Sequence, residues 1–187
     1  RLCALGDHLA WIDASAGTSA LRVLNGTEPR IVYQSEGQLE ALTLVDDQAY
    51  FVERRSAQWR LGASPLTGGA ARFSALHPSR TPAALVGAGE IFYYDGPSSS
   101  IRRVTTDLTR ETTIADDVIC SPLAVTDRLY CAQLGLLFEV PTSRGAAPRP
   151  LAPKRPGTIA GLVATSTRVA WLLDVGQNRA EVEAMSR

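Results

Sequence analysis

The run LAWID at residues 9–13 returns, altered but recognisable, as AYFVE at 49–53, IFYYD at 91–95, LYCAQ at 129–133 and VAWLLD at 169–174. Each is a short apolar segment carrying an aromatic or a cysteine, and each ends in an acidic or amide residue. Their starts lie 40, 42, 38 and 40 residues apart. A steady period of that length marks one supersecondary unit copied along the chain.

Working outward from each run defines the unit. A first apolar stretch precedes it at 2–5, 42–45, 84–86, 122–125 and 162–164, joined through polar, turn-prone residues such as Gly6-Asp7-His8, Asp46-Asp47-Gln48 and Thr126-Asp127-Arg128. Such connectors make hairpins. A third apolar stretch follows at 21–24, 59–63, 101–105, 137–140 and 180–184. The first four units turn again, at Asn25-Gly26 or Ser143-Arg144-Gly145 for example, into a fourth stretch at 31–33, 71–75, 112–115 and 148–153. Prolines in the last of these suit an outer edge strand, where no ladder hydrogen bond is lost.

Within the second strand, Ile91, Phe92, Tyr93 and Tyr94 follow one another without a polar break, so both faces of the strand need cover. The runs are too short for a buried helix, are rich in β-branched and aromatic residues, and are bounded by turns. Small sheets stacked radially satisfy the pattern. The expected fold is therefore all-β: a β-propeller of five repeats with four-stranded antiparallel blades, the last blade incomplete. The repeat units fall at 1–38, 39–79, 80–118, 119–158 and 159–187, in a single domain expected to be part of a longer protein.

With 187 residues, 45% of them hydrophobic, the chain can bury a sizeable core. Nineteen basic and nineteen acidic residues cancel, and no like-charged basic run exceeds Arg54-Arg55 or Arg102-Arg103, which argues against a nucleic-acid footprint. Lys154 is the sole lysine among many arginines, the usage of a GC-rich, bacterial genome. No apolar stretch approaches the roughly 18 residues of a membrane span. The start at Arg1 reads as a mature form or an excised piece. Cys120 and Cys131 bracket one expected hairpin, which leaves two readings open: a disulfide, or buried thiols together with Cys3. Cys131 stands where the other repeats place Trp11, Phe51, Tyr93 and Trp171, all expected in the core.

The unit order of apolar strand, polar turn, aromatic strand ending in Asp, then a strand such as SIRRV at 100–104 resembles the YWTD-type and NHL-type propellers, carried by LAWID, AYFVE and IFYYD. That resemblance spans nearly the whole chain. It implies a ring of six or a similar number of blades, an extracytoplasmic location and a binding platform. It also implies that the acidic residue closing the second strand mainly holds neighbouring repeats together by hydrogen bonds.

The repeat-equivalent residues Asp13, Glu53, Asp95, Gln133 and Asp174 are expected near one face of the disc, where a ring of carboxylates would bind a cation or a basic partner; the structural role is the stronger reading. His8 and His77 are expected as solvated loop residues, without the neighbouring nucleophile and acid that serine-type hydrolysis needs. No close Cys or His pair suggests zinc. Gly87-Ala88-Gly89 reads as a turn, and Asn25-Gly26-Thr27 as a hairpin turn before a glycosylation site. Arg54 and Arg55 are expected in a long loop as partner-contacting residues, with Trp59 opening a strand and packing.

The function these features favour is a non-catalytic scaffold that recognises a protein or glycan through loops on one disc face, within a larger exported protein. A metal-dependent hydrolase of the lactonase or glycosidase kind, with a cation such as calcium at the central channel, is the alternative. It would draw on Glu36, Glu40, Asp116 and Asp117. A third reading is an architectural module of a sensor or kinase ectodomain.

Overall fold

The computed structural model describes residues 2–15, 18–78, 82, 84–143, 147–176 and 179–186. The first sheet holds β1 (Leu2–Leu5), β2 (His8–Ser15), β3 (Thr18–Asn25) and β4 (Glu28–Ser35), and the second β5 (Gln38–Val45), β6 (Gln48–Arg55), β7 (Gln58–Pro65) and β8 (Arg72–Phe73). The third comprises β9 (Ala84–Ala88), β10 (Glu90–Asp95), β11 (Ser100–Val104) and β12 (Glu111–Ala115). The fourth comprises β13 (Leu123–Val125), β14 (Leu129–Gln133), β15 (Leu136–Val140) and β16 (Arg149–Pro150), and the fifth β17 (Thr158–Ala164), β18 (Arg168–Gly176) and β19 (Arg179–Ser186). Strands follow chain order within each sheet and all pairs are antiparallel, so this is a β-propeller row of four four-stranded blades and one of three strands.

The outer strands are shorter than expected in two sheets. β8 and β16 keep only two residues each: Pro148 lies just before β16 and Pro150 ends it, and the Thr67-Gly68-Gly69 turn precedes β8. The Ser143-Arg144-Gly145 turn lies partly outside the described residues.

The first strands β1, β5, β9, β13 and β17 pack on one another in turn, which makes the sheets radiate like a fan. Each of the four seams holds its own apolar cluster. Residue parity along the second strand decides which seam a side chain enters. Phe51, Tyr93, Cys131 and Trp171 point back into the preceding sheet's cluster, while Tyr50 with Val52, Phe92 with Tyr94, and Tyr130 with Ala132 point forward into the next.

The rule that both faces are covered holds for β6, β10 and β14. It fails at the two end sheets. Trp11, expected in the core, is partly exposed, because no sheet precedes the first among the described residues. In β18 buried and exposed positions alternate for the corresponding reason. Leu2 is 66% exposed and Val182 78%.

Candidate functional site

The turns from second to third strand lie at one end of the sheets, and the repeat-equivalent polar residues stand just before them. Their surroundings differ. Asp13 is exposed and pairs with Arg22 at 3.0 Å inside its own sheet. Asp95 is buried, accepts a hydrogen bond from the Ser98 hydroxyl at 2.6 Å and lies 3.6 Å from Arg102. Asp174 is exposed and accepts the Gly176 N–H at 2.9 Å. Gln133 is half-buried at the end of β14. Among the described residues, no three His, Cys, Asp or Glu side chains gather as a metal site, and Glu36, Glu40, Asp116 and Asp117 do not converge.

Glu53 is the exception in reach. Fully buried, it accepts hydrogen bonds from the Tyr33 hydroxyl at 2.8 Å and from the Ser35 hydroxyl, both on β4 of the preceding sheet. Arg60 Nε donates at 2.6 Å and Arg55 Nη2 at 3.1 Å from its own sheet. Burial alone would push its pKa up, but the four hydrogen bonds outweigh that and hold it at about 2. Arg60 is itself steadied by the Phe73 ring, 3.6 Å below its guanidinium carbon.

Directly beside this cluster, a cleft of about 500 Å³ opens between the first two sheets. Thr18, Glu36, Gln38, Arg54, Arg55 and Ser56 line it. Arg54 and Arg55 are not in a long loop as expected: they are the last two residues of β6, paired with Trp59 and Gln58 across a two-residue turn. The apolar rule for strands missed this extension, because the ladder continues through charged side chains at the solvent end. The neighbouring backbone comes close: a Cβ at Gly37 would lie 2.5 Å from the Arg54 carbonyl oxygen. Sequence reasoning singled out the two arginines but not Tyr33, Ser35, Gln38 or Ser56, whose roles come from a seam between units that no pattern inside one unit reports.

His77 also departs from expectation. It is not a solvated loop residue: its ring stacks on Trp59 with centroids 4.1 Å apart, and its backbone bridges the same residue. Trp59 itself packs as expected, 1% exposed. His8 opens β2 opposite Leu5 rather than sitting in the turn. Cys120 and Cys131 are joined, with Cα atoms 5.4 Å apart. Cys3 is free of a disulfide, and its thiol meets the Leu42 carbonyl at 3.0 Å.

No protein-family model and no curated protein sequence matches the chain. Solved structures do. The chain is similar to one in a nidogen/laminin complex, with 14% identity, a TM-score of 0.72, and coverage of 92% of this chain and 70% of that one. It is similar to TolB from Acinetobacter baumannii at 11% identity and a TM-score of 0.73, covering 97% and 51%. A puromycin hydrolase variant complexed with PGG gives 12% identity and a TM-score of 0.70, covering 96% and 33%. The chain thus spans between a third and 70% of the lengths of these three proteins. At such identities the likeness is one of fold, and the fold it shares with them is the β-propeller.

Proposed function

We propose that this chain is a binding module that recognises a protein partner through the disc face bearing the turns between second and third strands. The observation that carries the reading is the polar cleft walled by Arg54 and Arg55 at the first seam. Loops on a rigid scaffold are where recognition residues concentrate, and arginine is enriched at interface hot spots. A nidogen/laminin complex among the similar structures supports the use of this fold in binding between proteins. The aromatic strands ending in acidic residues support kinship with YWTD-type and NHL-type propellers, and the Cys120–Cys131 bond supports an oxidising, extracytoplasmic setting. In a Cys3→Ser background, a photo-cross-linker carried at Ser56→Cys should capture a partner, while the same group at Asn25→Cys, at the opposite end of the sheets, should not. Equal capture from both positions, or from neither, sinks the reading.

A second reading concerns the whole protein, in which the five units would serve as part of a larger ring. Register aligns Leu2, Trp11, Arg22 and Ile31 across the first sheet, and Leu172 with Val182 across the fifth. Both rows are open and largely apolar, and they are the two halves of the seam that the molecule repeats four times inside. A further sheet between the fifth and the first fits them. With Trp59→Phe and Trp171→Phe leaving Trp11 as the only tryptophan of the 187 residues, and any tryptophan outside them also replaced by Phe, a longer gene product should show bluer Trp11 emission than this chain; identical spectra would contradict the proposal.

A further inference from the structure

The two arginines of the cleft differ from ordinary surface cations in how they are held. Arg54 gives its Nε to Glu40 and an Nη2 hydrogen to Gln38, and Arg55 gives an Nη2 hydrogen to the buried Glu53. A guanidinium carries five N–H groups. The two side chains stay 43% and 50% exposed, and both line the cleft. The anchoring carboxylates and amide therefore set the orientation of two planar forks before any ligand arrives, so little rotamer freedom is left to lose on binding.

The charges around the cleft narrow the ligand. Arg54, Arg55 and Arg60 are matched by Glu36, Glu40 and Glu53, so there is no surplus positive field to concentrate a polyanion. What the site offers is direction: two anchored, partly exposed guanidinium forks whose planar geometry suits one carboxylate. Gln38 and Ser56 add polar groups of the kind a peptide backbone uses, and among the described residues the lining has no aromatic face on which a sugar ring would stack. Ser56, which lines the cleft, holds φ at +55°, a conformation that glycine adopts without strain.

We infer that the cleft between the first two sheets seats a single carboxylate of an extended peptide segment of the partner, supplied by an Asp or Glu side chain or by a chain terminus. The inference rests on the binding reading above and specifies its chemistry. Random linear peptides displayed on phage are selected on the 187-residue chain and counter-selected on the Arg54→Gln/Arg55→Gln double variant. Winning peptides are then synthesised with the acidic side chain replaced by its amide, with the C-terminus amidated, and with both changes.

The expected result is a loss of affinity of about tenfold or more when the responsible carboxylate is neutralised, with the two singly altered peptides telling side chain from terminus. The Arg54→Gln single variant, which leaves the Glu53 cluster intact, loses affinity to a similar degree while melting as the wild type does. Winners that bind equally well in all amide forms overturn the inference but leave the cleft as the binding surface. A selection that enriches nothing over the double variant overturns both.

Discussion

The Tyr33 hydroxyl donates to Glu53 Oε1 at 2.8 Å across the seam between the first two sheets. Apolar contacts alone would let neighbouring sheets slide. Here a buried carboxylate accepts two hydroxyl hydrogen bonds from one sheet and two guanidinium hydrogen bonds from the other, which fixes their relative position.

Replacing Glu53 should therefore cost more than one hydrogen bond. Glu53→Ala leaves Arg60 and two hydroxyls facing an apolar seam, and a loss of about 3 kcal/mol is expected from urea unfolding. Tyr33→Phe removes one donor only and should cost about 1 kcal/mol. Similar losses for the two variants would show that the carboxylate is no hub.

The same group gives stability a pH dependence. Its folded pKa, about 2, lies below the ordinary 4.5, so its contribution is fully present above pH 4.5 and is lost as pH falls towards 2. The stability gap between wild type and Glu53→Gln should stay constant from neutral pH down to about 4.5 and close below it. A gap that widens on acidification would reverse the sign of this account.

The Cys120–Cys131 bond joins residues 11 positions apart, a loop for which chain entropy gives about 2.5–3 kcal/mol. Urea midpoints measured with and without dithiothreitol should differ accordingly. A Cys3→Ser variant should show the same difference, since Cys3 is free of the bond.

Gly62 stands opposite Phe51, and a Cβ there would overlap the Phe51 ring. Gly62→Ala should destabilise by about 1–3 kcal/mol through overpacking. Adding Phe51→Leu should return part of that loss; a double variant no better than the sum of its parts would place the strain elsewhere.

Much of the fold was legible because it is local and repeated. The second strands β2, β6, β10, β14 and β18 all contain the recurring apolar runs, and their hairpin partners lie a turn away. What was not legible depends on neighbours from other units. Trp11 and Phe51 occupy the same place in the repeat, yet one is partly exposed and the other buried, because only Phe51 has a preceding sheet to enter. Arg54 and Arg55 look like loop residues by polarity, but ladder pairing with Trp59 and Gln58 holds them in a strand. His77 carries no signal for its stacking on Trp59, which a returning segment 18 residues later creates. The cleft shares that origin: its walls come from two units, so it exists only once they meet.

The parity rule of the seams has a consequence at the level of the gene. Every sheet shows a backward face through one set of second-strand residues and a forward face through the alternate set, and all four seams run the same way. Loss or duplication of one whole unit by unequal recombination therefore joins a forward face to a backward face again. A break inside a unit joins mismatched strands. Lineages carrying this chain can change length in steps of one repeat while remaining foldable, and the local devices at particular seams, such as the Glu53 cluster, are what each such step puts at risk.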